Sequence, residues 1–220
     1  MKKFLLPVVI VIIIVILIIR GVFVYQKFKA EETKTTFISM SDLNLKDKKI
    51  AMIISFREFR DEEYFIPKEI FESAGAEIFT VSSSLGKAIG KLGGETDVNI
   101  LLENLNVAEY DAILFVGGPG AQGYIENETC HKIARETVNS QKVLGAICIA
   151  PAILAKAGVL EGKKATVWNS IMDKSAVNIL KDNGADFQDI SVVIDGKIVT
   201  ASGPQAAKEF AEAIINLLKQ

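Results

Sequence analysis

The sequence predicts one α/β domain, a mostly parallel sheet with helices on both faces, preceded by a single transmembrane helix. Three observations carry that expectation. Short apolar runs bounded by turn signals alternate with longer amphipathic stretches, the pattern of buried parallel strands joined by helical crossovers. A cysteine stands where one such run gives way at once to a helix. Ahead of everything lies a run from Phe4 to Ile19 in which every residue is apolar or proline.

Read as one helix, residues 4–25 extend roughly 33 Å, enough to cross a hydrocarbon core. Arg20 lies within two turns of the far end, where its long stem can snorkel toward headgroups. Lys2 and Lys3 also suit the leader of a cleaved signal peptide, but the apolar run is longer than such a region and no small-residue cleavage pattern follows. A buried core helix is the third reading, and it leaves no polar face to meet water. The expectation is a single-pass anchor in membrane lipid. The flanking charges leave the side of the soluble domain open. Residues 26–48, polar and of mixed charge, read as a juxtamembrane linker, with the folded domain over residues 49–220.

The expected strands are Ile50 to Ser55, Glu77 to Val81, Ala112 to Val116, Lys142 to Ile147 and Ala165 to Val167. Expected helices run from Glu62 to Ala74, stopped by Gly75, from Glu128 to Asn139, and from Ala206 to Leu218. Val192-Val193-Ile194 and Ile198-Val199-Thr200 read as a hairpin around Asp195-Gly196, a pair that tolerates a type I′ turn.

Composition excludes several functions. The chain has 220 residues, 50% of them hydrophobic, and a formal net charge of -2. That suffices for one core and gives no field to gather nucleic acid, so no nucleic-acid partner is expected. Two cysteines without a CxxC, and one histidine, imply no structural metal, and nothing calls for a cofactor.

In open α/β sheets ligands gather beyond the carboxyl ends of the strands, which directs attention to the loops after Ser55, Val116 and Ile147. Cys148 fits a nucleophile elbow, its sulfur facing a helix N-terminus whose dipole is expected to lower the thiol pKa, with Pro151 in that helix's first turn. The bland account of Cys148, a small buried hydrophobe, stays open at this point. Gly117 and Gly118 let backbone N–H groups approach an oxygen, and with the Ile149 N–H they form a candidate oxyanion hole. Asp61 and Glu62 read as solvent-facing complements to a helix dipole. His131 reads as a solvated residue at an exposed helix start.

Together these segments resemble the superfamily of the PfpI proteases and the DJ-one deglycases, with its class I glutamine-amidotransferase-like fold, a flavodoxin-like sandwich. The marks are Glu63 before Pro67, Gly117-Gly118, Ala146-Ile147-Cys148-Ile149-Ala150-Pro151, Ala157 to Lys163, and Val193 to Pro204. They cover most of the chain from Lys49 onward, in the family's order. The resemblance implies that Cys148 is the reactive cysteine, Glu63 its carboxylic partner, and Gly118 with Ile149 the oxyanion-binding amides. It also implies a homodimer. The chain departs from the pattern at two places: Ile149 stands where protease-like members carry histidine, and Trp168 where deglycase-like members do. A Cys-His peptidase is therefore disfavoured, and Trp168, together with Pro151, reads as a pocket residue.

Three functions remain in view. The first is a glyoxalase- or deglycase-type enzyme acting on small reactive carbonyls or their protein adducts through Cys148 and Glu63. The second is a thiol redox or stress sensor, and the third a tethered binding module with an inert thiol.

Overall fold

A computed structural model describes residues 44–220. The expected span over residues 4–25 and most of the linker fall outside the described residues. Among the described residues, no helix is long and apolar enough to cross a membrane. Ordered packing reaches back to Leu45, whose side chain is buried and whose N–H donates to the Ala74 carbonyl at 2.7 Å.

The chain runs β1 (Lys49–Ile53), β2 (Arg57–Phe59), α1 (Asp61–Ser73), β3 (Glu77–Ser82), β4 (Gly86–Gly90), β5 (Glu95–Val98), β6 (Ile100–Leu101) and β7 (Ala112–Phe115). It continues with α2 (Glu128–Asn139), β8 (Val143–Ile147), α3 (Pro151–Lys156), β9 (Lys164–Ala165), α4 (Ser175–Asp182), β10 (Asp186–Phe187), β11 (Val192–Asp195), β12 (Ile198–Ala201) and α5 (Ala207–Leu218). The main sheet has the order β11-β12-β8-β7-β1-β3-β6 and is parallel except for the β11–β12 hairpin. Because β3 and β7 flank β1 on opposite sides, the winding reverses between β1 and β7. A crevice opens at such a point beyond the strand ends.

Period-two alternation divides the core between two faces. Ile50 and Met52 of β1 and Leu114 of β7 join Phe71 of α1 and Phe210 and Ile214 of α5 on one side. Ala51, Ile53, Ile113 and Phe115 join Ile133 of α2, Ile153 of α3 and Leu180 of α4 on the other. Every residue of β8 is buried, and a Cβ on Gly145 would come within 2.6 Å of Leu114 and 2.8 Å of Phe210. Only glycine lets α5 lie this close to the sheet.

Several expectations are corrected. The strand expected over Ala165 to Val167 is the two-residue β9, paired with β10 in a separate small sheet. The hairpin exists, but Asp195 pairs with Ile198, and among the turn residues only Gly196 has positive φ, which fits a type II′ turn and not type I′. A three-stranded sheet, β2-β4-β5, had no counterpart in the sequence reading, since its strands mix Gly, Lys, Glu and Asp without apolar alternation. Asp61 holds that sheet in place. It is buried, not solvent-facing, and accepts the N–H groups of Leu92 and Gly94, each at 2.7 Å, from the turn between β4 and β5. His131 is also buried, its Nε2 at 2.7 Å from the Ile125 carbonyl. It ties α2 to the preceding loop, far in function from the surface residue expected.

Candidate active site

The β8 strand ends at Ile147, and the next residue, Cys148, takes φ +64°. A non-glycine residue in that region costs about 1–3 kcal/mol and persists only where its surroundings enforce it. Here two backbone bonds do so: the Cys148 N–H donates to Ala201 on β12 at 2.8 Å, and its carbonyl accepts from Trp168 at 2.8 Å. The bend turns the sulfur out of the sheet toward the crevice.

Glu63 arrives from the other side, in the first turn of α1. Pro67 lies four residues on, so the N–H that would bond the Glu63 carbonyl within the helix is missing. The side chain is wholly buried, and neither carboxyl oxygen has a hydrogen-bond partner. The Cys148 thiol and the Gly117 N–H face the carboxyl and favour its charged form, without reaching full hydrogen-bond geometry. Gly117 is the floor on which they meet. A Cβ there would lie 2.6 Å from both the Cys148 Cβ and the Glu63 Oε2. The backbone N–H groups of Gly118 and Ile149 point at the sulfur.

Electrostatics departs from the sequence expectation. Burial pushes Glu63 up to about 7, against the pull of Cys148, Arg60 and the Gly117 amide. Burial first, and then the Glu63 charge, push the Cys148 thiol up to about 12, while the Gly118 and Ile149 amides pull it down. The expected depression of the thiol pKa is therefore corrected: α3 spans only Pro151–Lys156, and desolvation outweighs what its end supplies.

The thiol opens onto a cleft of about 750 Å³ whose lining includes Glu63, Gly118, Ile149 and Trp168. Cys148 is half-buried there, and its thiol faces the cleft. Pro151 is buried beneath the elbow and does not line the cleft, so its expected place in the pocket is corrected. Arg60, Asp173 and Asp189 line the cleft and were missed. A signal for Arg60 was present: a cation at the start of a helix opposes the dipole and calls for a reason. The segment from Asn169 to Ser175, which brings Asp173, shows no periodicity that could have placed it.

Residues 48–217 match the DJ-1/PfpI family. The chain belongs to that family. A protein of Methanocaldococcus jannaschii, MJ0967, is 38% identical over 178 residues, covering 80% of this chain and 85% of its own length. Protein/nucleic acid deglycase 2 of Escherichia coli is 33% identical over 174 residues, 78% of this chain and 98% of that one. The solved ThiJ/PfpI domain protein of Brachyspira murdochii superposes with a TM-score of 0.75 at 34% identity, over 79% of this chain and 98% of that chain.

For this DJ-1/PfpI chain the Gly117 floor gives a direct expectation. Gly117→Ala forces a methyl between sulfur and carboxyl and against the Ile147 carbonyl, 2.7 Å from the new Cβ. A loss of about 1–3 kcal/mol in urea unfolding is expected, typical of overpacking, together with slower alkylation of Cys148. Unchanged stability and alkylation would show that the two groups do not meet over this residue.

Proposed function

We propose that the chain is a deglycase-like enzyme that acts on small reactive carbonyls, such as α-oxoaldehydes, or on their protein adducts. One observation carries the reading: a buried carboxyl without a partner, close to neutral in pKa, faces a thiol at the floor of an open cleft. The deglycase name of the Escherichia coli relative supports it.

In this mechanism Glu63 takes the thiol proton as the sulfur adds to the aldehyde carbon. The C=O π pair moves to oxygen, and the Gly118 and Ile149 N–H groups hold the resulting oxyanion. Glu63 then returns the proton to that oxygen, giving a neutral hemithioacetal. As a carboxylate it next moves the C–H proton to the neighbouring carbon while the hydroxyl proton passes to the neighbouring oxygen, which converts the adduct to a 2-hydroxy thioester. Water releases a 2-hydroxy acid and restores the thiol. One water is consumed and no external oxidant or reductant enters. Each proton passes through one carboxyl whose pKa lies near neutrality, the condition for a general acid and base. This route uses no histidine, in keeping with Ile149 and Trp168 at the cleft, where a cysteine peptidase would need a base.

Residues 4–25 anchor this activity to a membrane, a reading that rests on their length and apolar character in the sequence. A redox-sensing role for the same thiol draws support from its position, since Cys148 faces the cleft while Cys130 is fully buried.

The test is consumption of methylglyoxal by the full chain in detergent. Aldehyde loss is expected with the wild type and absent with Cys148→Ser. Equal turnover by the two would sink the enzymatic reading.

A further inference from the structure

The cleft contains acids from more than one wall. Asp173 and Asp189 line it together with Glu63, and Glu62 precedes Glu63 in the first turn of α1. Asp173 accepts the Ser175 N–H at 2.9 Å, and Asp189 accepts from Asn169 Nδ2 at 3.1 Å. Among the described residues lining this cleft, Arg60 is the one cation.

Its placement opposes the usual electrostatics of a helix. Arg60 occupies the N-cap of α1, where a positive charge meets the positive end of the dipole. The structure holds it there twice. Its backbone N–H donates to the Gly117 carbonyl at 3.0 Å, fastening it to the loop that carries Gly118. Its guanidinium is gripped by Glu62 in a two-pronged contact, Nε to Oε2 at 2.8 Å and Nη2 to Oε1 at 3.1 Å. Arg60 and Glu63 thus lie in one helical turn, on the rim and floor of the same cleft.

We propose that Arg60 is a positioning residue for the Cys148–Glu63 pair: clamped by Glu62, its guanidinium holds the single negative charge that sulfur and carboxyl share. The inference rests on the reactive-pair reading above and adds the group that keeps the pair singly charged. With Ile149 and Trp168 in the cleft, no imidazolium supplies that positive charge here. The charges acting on the pair are then Arg60 in its favour and Glu62 against, with Asp173 and Asp189 elsewhere on the cleft lining. Arg60 attracts the pair's charge, and Glu62 repels it.

These opposite signs make the test. Cys148 of the full-length protein is alkylated with iodoacetamide across pH 5–10 and quantified by site-resolved mass spectrometry. Arg60→Gln is expected to move the acid limb of the profile upward by about one pH unit, the low end for loss of a neighbouring charge that is partly exposed. Arg60→Lys is expected to restore most of that shift. Glu62→Gln keeps one amide oxygen to accept from the guanidinium but removes the repelling charge, so it is expected to move the limb the other way, downward, which a mere loosening of α1 does not produce. It also serves where Arg60→Gln fails to fold. A wild-type limb left in place by both neutralising variants overturns the proposal alone. A wild-type profile with no limb near neutrality overturns the pair, and the proposal with it.

Discussion

Glu63→Gln is expected to lower methylglyoxal turnover at pH 7.5 by about 10²-fold or more, the usual contribution of a positioned general acid and base. The expectation follows from the coupling of the two buried groups. Burial drives each toward its neutral form, and two negative charges side by side are disfavoured, so the pair gives up its protons in two well-separated steps. The first lies near the Glu63 value of about 7 and the second near the Cys148 value of about 12. Between them one proton serves both atoms. The form that attacks a carbonyl has the charge on sulfur and the proton on the carboxyl. It is a minority form, reached by a short transfer within the site. Thiol reactivity should therefore rise through pH 7, stay level, and rise again toward 12. An isolated thiol would instead rise about its ordinary value near ~8.5. Glutamine fills the same volume but accepts no proton, so the first rise disappears and only the high-pH one remains. Turnover against pH for wild type and variant measures both limbs. An acid limb retained in Glu63→Gln would assign that ionisation to another group.

The parts of this site legible in the sequence are those written in contiguous stretches. The strand-to-helix break at Cys148, the paired glycines at Gly117 and Gly118, and the run through Glu63 to Pro67 each announce a local backbone event. The buried strands β1, β7 and β8 are legible because their flanking helices leave no polar face. Long-range events left no such mark. Asp61 looks like any acid at a helix start until the turn between β4 and β5 folds over it with two N–H groups to satisfy. His131 looks solvated until the Ile125 carbonyl meets it. The thiol's acidity is hidden from the sequence for the same reason. A helix dipole can be inferred from neighbours in sequence, whereas desolvation depends on everything that closes around the sulfur, including Glu63 from a strand and helix away. Burial is a property of the whole fold, and in this cleft it is the larger effect.

That burial also has a cost in stability, and its sign is set by the raised carboxyl. Glu63 titrates near 7 in the folded chain against an ordinary 4.5, so between those values the native state binds the proton more tightly than the unfolded state does. Stability is then fullest below pH 4.5, declines as pH rises, and has lost the whole contribution above 7. At about 1.4 kcal/mol per pH unit the loss is about 3 kcal/mol. The Cys148 thiol, raised in the same direction, extends the decline above pH 9. Asp111 works the opposite way: the Lys49 N–H and the Lys48 ammonium hold its carboxyl below 3.8 against the pull of burial, so its effect falls at more acid pH, outside this window. Urea unfolding of wild type and Glu63→Gln from pH 4.5 to 8.5 isolates the Glu63 contribution. The variant is expected to gain on the wild type between pH 4.5 and 7, by about 3 kcal/mol in total, and to hold that difference up to pH 8.5. A buried, unpartnered amide shifts the variant by a constant amount and leaves that slope alone. A difference that does not change with pH would mean that the carboxyl reaches water in solution. The same groups that make the thiol usable would then no longer be those that strain the fold, and the link between a neutral-pH acid and a less stable site would be broken.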